Sequence, residues 1–251
     1  MTSPARGLLV VDAKCLRADD EPTWDAWEDD THVPEACTGR GPWAATRFEL
    51  TARPAPGMPG IGFTHVTIHE LDDPDVRAQA DRALAVDDAL RAAGRMHPAH
   101  VTVGAEVYEA HGPHGAKPAP SEARRGHILA QVLCNDPRRE AEWDAWYDEV
   151  HVPDMLSCGA FGAMSRWVRV PRRPQGANFL TLYDVATDTV DEAVARSARV
   201  LAEVVAAGRK HPAHAGALTV TLVPTGGHGA AGVRRPGSDH AKAAEDAEGA
   251  R

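Results

Sequence analysis

Two histidines, His32 and His151, sit in nearly the same company. Residues 24–34 read Trp-Asp-Ala-Trp-Glu-Asp-Asp-Thr-His-Val-Pro, and residues 143–153 read Trp-Asp-Ala-Trp-Tyr-Asp-Glu-Val-His-Val-Pro. Each histidine follows an aspartate by three residues, Asp29 or Asp148. On a helix, positions i and i+3 share a face. A carboxylate there orients an imidazole and raises its pKa, as does the negative end of a helix. This suits a general acid or base working near neutral pH. A plainer reading stands beside it, in which each histidine caps its own helix and holds the turn into proline. A metal role is the least favoured of the three.

Other groups could join such a site. His65, Thr67 and His69 alternate along one segment, so on a strand they share a face. Aligning the two halves pairs His69 with Tyr183 and Glu70 with Asp184. An ionisable cluster in one half alone is what a duplicated enzyme with one working site would show; a solvated edge strand is the plainer account. Arg47 and Arg166 match between the halves. They could pin an anionic substrate or pair with Asp29 and Asp148. Trp24, Trp27, Trp143 and Trp146 suit core packing, with Trp27 and Trp146 also placed to line a pocket for a flat aromatic substrate. His97, His100, His211 and His214 form two His-Pro-Ala-His stretches. No cysteine or carboxylate completes a ligand set at fixed spacing, so a loop role is expected and no metal site. The sequence has no dinucleotide-binding glycine motif, P-loop, nucleophile elbow or zincin helix.

The elements that must position these residues repeat. Eight of the eleven positions quoted above are identical at an offset of 119. The same offset pairs Gly7 with Gly126 and Cys15 with Cys134. Residues 94–100 match 208–214 at six of seven positions, now at an offset of 114. The difference places a longer loop in the first copy, at the Pro/Gly-rich stretch 53–60. The chain therefore divides into a first module (1–110), a linker (111–125), a second module (126–228) and a disordered tail (229–251). In the second module, strands are expected over 127–134, 161–169, 178–185 and 217–223. Helices are expected over 137–151 and 188–207, the first ending near His151 because Pro153 disfavours a helical Val152. In the second helix, Val190, Val194, Ala198, Leu201 and Val205 form the expected buried stripe. The order β-α-β-β-α-β is that of a ferredoxin-like module. Two helices cover one face of each sheet, so the two sheets should bury their other faces against each other in an eight-stranded barrel. The fold class is α+β.

Hydrophobic residues make up 43% of the 251-residue chain and charged residues 25%, an ordinary globular balance. The net charge of −9 argues against nucleic-acid and anionic-membrane partners. No apolar run reaches membrane-spanning length, and a cytoplasmic location follows as the default. Four cysteines without a Cys-x-x-Cys pair are expected as free thiols.

The repeated Trp-x-x-Trp-[Glu/Tyr]-Asp-x-x-His-Val-Pro segment resembles the helix signature of the dimeric α/β-barrel superfamily, near its EthD-type members. The resemblance implies a ferredoxin-like module that dimerises sheet to sheet, here within one chain. Its members include polyketide cyclases, cofactor-free monooxygenases, lactone isomerases and heme-using chlorite dismutases. In several, a histidine near the matching position faces a pocket, which carries over to His32 and His151 alone. The expected function is proton transfer on a polyketide or aromatic small molecule, without a cofactor. His32 or His151 would act as acid or base, oriented by Asp29 or Asp148, with His65, His69 and Tyr183 as secondary candidates. A heme-binding enzyme of the same fold and a non-catalytic scaffold stay open as alternatives. So does a homodimer of the duplicated chain.

Overall fold

The computed structural model of the protein describes residues 5–51, 61–113 and 125–229. The 53–60 loop, most of the 111–125 linker and all but the first residue of the 229–251 tail lie outside the described residues. The elements are β1 (Gly7–Cys15), α1 (Glu21–Trp27), α2 (Val33–Ala36), β2 (Ala44–Leu50), β3 (His65–Leu71), α3 (Val76–Ala92) and β4 (His100–Ala110). They continue with β5 (His127–Cys134), α4 (Glu140–Trp146), α5 (Val152–Ser157), β6 (Phe161–Arg169), β7 (Phe179–Val185), α6 (Val190–Ala206) and β8 (His214–Gly229). The fold is mixed α+β. Its eight strands pair antiparallel and close into a barrel in the order β1-β3-β2-β8-β5-β7-β6-β4. Two seams join the halves: β2 on β8 and β4 on β6. No helix among the described residues is long and apolar enough to cross a membrane.

Alternation along the strands sorts side chains between two environments. Leu8 and Val10 of β1, with Phe48, Ile68, Leu129, Trp167 and their neighbours, fill the barrel interior. The opposite faces pack on helices. Leu9, Val11 and Leu71 meet α3 through Val76, Ala80 and Ala83. Trp143, Tyr147 and Phe179 lie in the corresponding layer of the second half. Trp24 and Trp143 have no exposed surface, as core residues should.

Two local readings of the sequence are corrected. The helix expected to end near His151 continues through a π-helical turn at Tyr147–His151 into α5, and the first half does the same at Glu28–His32. Val33 and Val152 are helical although each precedes proline (φ −65°, ψ −44° and φ −60°, ψ −51°). Pro34 and Pro153 fall in the first turn of the following helix, the position where a missing N–H is tolerated. On α6 the buried residues are Val190, Ala193, Ser197 and Val204, while Val194, Leu201 and Val205 are exposed. Both rows have helical spacing. The row with small residues is the one that can approach the sheet closely.

Candidate active site

The π turn decides which carboxylate meets His32. Widening the helix brings i and i+4 into line and swings i+3 away. Glu28 Oε2 accordingly lies 2.9 Å from His32 Nδ1. Asp29 instead accepts a 2.8 Å hydrogen bond from Arg47, so the expected Asp29–His32 pair does not form. In the second half Asp148 likewise pairs with Arg166 and not with His151.

From Glu28 the contacts run in a closed ring. His32 Nε2 is 2.7 Å from Asp87 Oδ1 on α3. Thr102 at the start of β4 donates to Asp87 Oδ2 at 3.0 Å, and Thr102 Oγ1 is 3.0 Å from His100 Nε2. His100 Nδ1 returns to Glu28 Oε1 at 3.0 Å. The indole N–H of Trp24 is also 3.0 Å from that same Nδ1. Trp27 stacks on His32, with ring centroids 4.9 Å apart and planes 10° apart. His69 on β3 is buried and its Nδ1 has no hydrogen-bond partner among the described residues.

Charge follows from this geometry. Burial opposes a charged His32, but the hydrogen bonds to Asp87 and Glu28 outweigh it and raise its pKa to about 9. Burial likewise opposes charge on Glu28, yet its histidine partners and the Arg47 charge hold it well below the ordinary carboxylate range. His32 is therefore an imidazolium clamped between two carboxylates. His69 is pushed down to about 4, by burial first and by the His32 charge second, and stays neutral. His65 also falls to about 4, through burial and the Arg47 charge; its ring meets the edge of Trp24 at 4.7 Å.

The second half has the two histidines but not the rest of the ring. At the positions of Glu28, His69, Asp87 and Thr102 it has Tyr147, Tyr183, Leu201 and Gly216. His151 Nε2 is 3.2 Å from the Tyr183 hydroxyl, which is 3.4 Å from that of Tyr147. Burial and the neighbouring His214 push the His151 pKa down to about 3. Burial and Lys210 take His214 to about 4. Both are neutral. Burial raises the Tyr183 pKa well above its usual value.

Arg47 and Arg166 are buried and spend their guanidinium groups on Asp25 with Asp29 and on Asp144 with Asp148. A buried guanidinium has to be paired, and here the partners are aspartates of the same half, the second of the two alternatives that the sequence offered. Trp27 and Trp146 each donate to a backbone carbonyl, of Arg95 and Arg209, and are half-buried. Of each His-Pro-Ala-His stretch, the first histidine accepts from the backbone of its own turn and the second enters the site. Glu28, Asp87 and Thr102 are the site residues that spacing did not single out, and His100 was noticed only as part of its His-Pro-Ala-His stretch. Glu28, His32 and His100 could hold a metal ion, since one ligand atom from each lies within 4.8 Å of the other two.

A cavity of about 40 Å³ lies elsewhere, in the barrel interior, lined among others by Thr46, Glu70, His127, Ser165 and Asp184. It has room for a few waters. Glu70 and His69 are successive residues of β3, so cavity and ring lie on opposite faces of that strand. A heme iron would need a free imidazole nitrogen, and both nitrogens of His32 are engaged, by Glu28 and Asp87. At His151, Nε2 faces the Tyr183 hydroxyl.

No protein-family model matches the sequence, and neither does any curated protein. Solved structures do share its fold. A variant of the chlorite dismutase of Candidatus Nitrospira defluvii, in complex with cyanide, superposes with a TM-score of 0.56 at 11% identity, covering 89% of this chain and 92% of that one. A candidate monooxygenase from Fusobacterium nucleatum subsp. nucleatum gives 0.54 at 11% identity, covering 91% and 97%. An anthrone oxidase-like protein gives 0.50 at 12% identity, covering 92% and 96%. At such identities the likeness establishes the fold that this chain shares with dismutase- and monooxygenase-type proteins.

Proposed function

We propose that the protein is a small-molecule enzyme of the monooxygenase type, built from two tandem ferredoxin-like modules, with its working centre in the first. One observation carries this reading. Glu28, His69, Asp87 and Thr102 are replaced together in the second half, by residues that leave His151 and His214 neutral and sealed. A purely structural role gives no reason for one half to keep a buried charged ring, because burying charge costs stability unless every member is paired.

The chemistry that suits this ring is proton transfer on a flat, oxygenated substrate such as an aromatic or polyketide intermediate. His69, neutral and with a free Nδ1, is in the proton-accepting form. The His32 imidazolium supplies positive charge beside an enolate or phenolate as it develops. Asp87 is partly exposed and links the ring to solvent for proton return. Oxidation by O2, isomerisation and cyclisation all begin with such a step. The anthrone oxidase-like and monooxygenase neighbours favour the oxidative one.

The test is oxygen uptake and product formation with hydroxylated anthrone- and quinol-type aromatics. Glu28→Gln and His69→Ala should each lower turnover by about 100-fold or more, the usual scale of general acid–base catalysis. His151→Ala and Tyr183→Phe should leave it within about threefold on the same scale. Turnover that survives in both first-half variants, with folding verified by circular dichroism, would overturn the assignment.

A further inference from the structure

The ring contains one contact that hydrogen bonding does not resolve. His100 Nε2 faces Thr102, and Nδ1 faces both the Trp24 N–H and Glu28 Oε1, each at 3.0 Å. If Trp24 donates to Nδ1, that nitrogen carries a lone pair, and the lone pair confronts a carboxylate oxygen. If Nδ1 carries a proton, it confronts the indole N–H. Glu28 Oε1 is buried and makes no well-formed hydrogen bond. A second buried atom, His69 Nδ1, is also without a partner among the described residues. Buried polar atoms left this way are uncommon and call for a reason.

We propose that Glu28, His32 and His100 bind a divalent first-row transition-metal ion. Two histidines and one carboxylate with positions left open form the ligand set of non-heme oxygen-activating iron sites. The three ligand atoms already lie within 4.8 Å of one another. A cation placed among them would take lone pairs from His100 Nδ1 and Glu28 Oε1 together, in place of a contact that neither protonation of His100 satisfies fully.

The outer contacts support this more than the ligands do. A metal-bound imidazole usually gives its other N–H to a carboxylate or other acceptor, which fixes the ring. Here one residue serves both histidines. Asp87 takes His32 Nε2 directly through Oδ1, and takes His100 Nε2 through Thr102 on Oδ2. The second half has lost the carboxylate ligand, the shared orienting carboxylate and the relay hydroxyl together, at Tyr147, Leu201 and Gly216. Leu201 and Gly216 matter most here, because neither position touches a substrate under the proton-transfer reading. The inference rests on that reading only in placing the working centre in the first half. The metal would supply the positive charge that the His32 proton supplies without it.

The experiment uses the full chain, stripped with chelator and titrated with Co(II) alone, and reads metal content and the visible spectrum. The expected result is about one tightly held ion per chain with ligand-field bands. Glu28→Gln and His100→Ala should abolish it, Asp87→Asn should weaken it by about 10- to 100-fold, and His151→Ala and His214→Ala should leave it unchanged. Should Glu28→Gln fail to fold, Asp87→Asn carries the same test with the ligands in place. Cobalt bound no more tightly by the wild type than by these variants, or no bands at all, would overturn the proposal. The two readings fail separately. Loss of turnover in Glu28→Gln and His69→Ala without metal binding removes the metal and keeps the proton-transfer centre. A bound ion with turnover indifferent to those variants removes the enzyme reading and keeps the metal.

Discussion

What a histidine can do depends on what its two nitrogens face. His32 and His151 follow near-identical motifs, yet one is clamped by Glu28 and Asp87 while the other rests on the Tyr183 hydroxyl. Their charges should therefore diverge. In metal-free protein, histidine-selective NMR should show His32 losing its proton near pH 9 and His151 remaining neutral down to about pH 3. A common midpoint near the ordinary histidine value would contradict the ring. A pKa raised on folding contributes fully below the unfolded value near 6.5, and the contribution fades as pH rises through about 9. His32, Asp29 and Arg47 could all be named from sequence, and the Arg47–Asp29 pair stood among the alternatives, but the carboxylate partner of His32 could not be read. The i+3 rule assumes an ordinary helix, and the π turn shifts the partner to Glu28. One signal was nevertheless present. Glu28 against Tyr147 is among the three mismatches in the repeated motif, and it is the one that exchanges a carboxylate for a phenol.

At the scale of elements, strand positions and the second-half helices were readable because period-two and period-3.6 patterns reflect burial directly. The helix path past His32 and His151 was not, since the pre-proline preference is weaker than the pull of a continuous packed helix. Nor was the buried row of α6, because two adjacent rows share the helical period. The barrel interior carries a polar exception in β1. Asp12 is pushed up to about 7, by burial first and by Glu106 second. Its protonated form is thus favoured by folding, and that stability is present below the ordinary value near 3.8 and lost as pH rises to about 7. Asp12→Asn cannot ionise. Relative to wild type it should gain roughly 1–3 kcal/mol between pH 4 and pH 8, read from urea unfolding. A constant difference across that range would show that Asp12 ionises freely in the fold.

The whole molecule is a closed sheet in which each half is completed by the other. The repeat offsets and the uncovered sheet faces made closure legible in the sequence. The seams, β2 on β8 and β4 on β6, were not, because pairing between halves leaves no local pattern. They do leave glycines. Gly226 on β8 lies so close to the Asp29 carboxylate that a Cβ would overlap it, and Gly112, at the matching position after β4, lies against Asp148. Each half's end thus packs on the other half's buried arginine–aspartate pair. Gly226→Ala should displace Asp29 from Arg47 and destabilise by about 1–3 kcal/mol. The melting temperature should fall by several degrees, and an unchanged value would show that this seam is slack. Closure would also let the proposed centre sit in one half, since the second half completes the barrel without a ring of its own. That division of labour is tested most directly by comparing, on one hydroxylated aromatic substrate, the turnover of Glu28→Gln with that of His151→Ala. Loss in the first with near-normal rates in the second is the result this structure predicts. Equal rates in the two variants would contradict it.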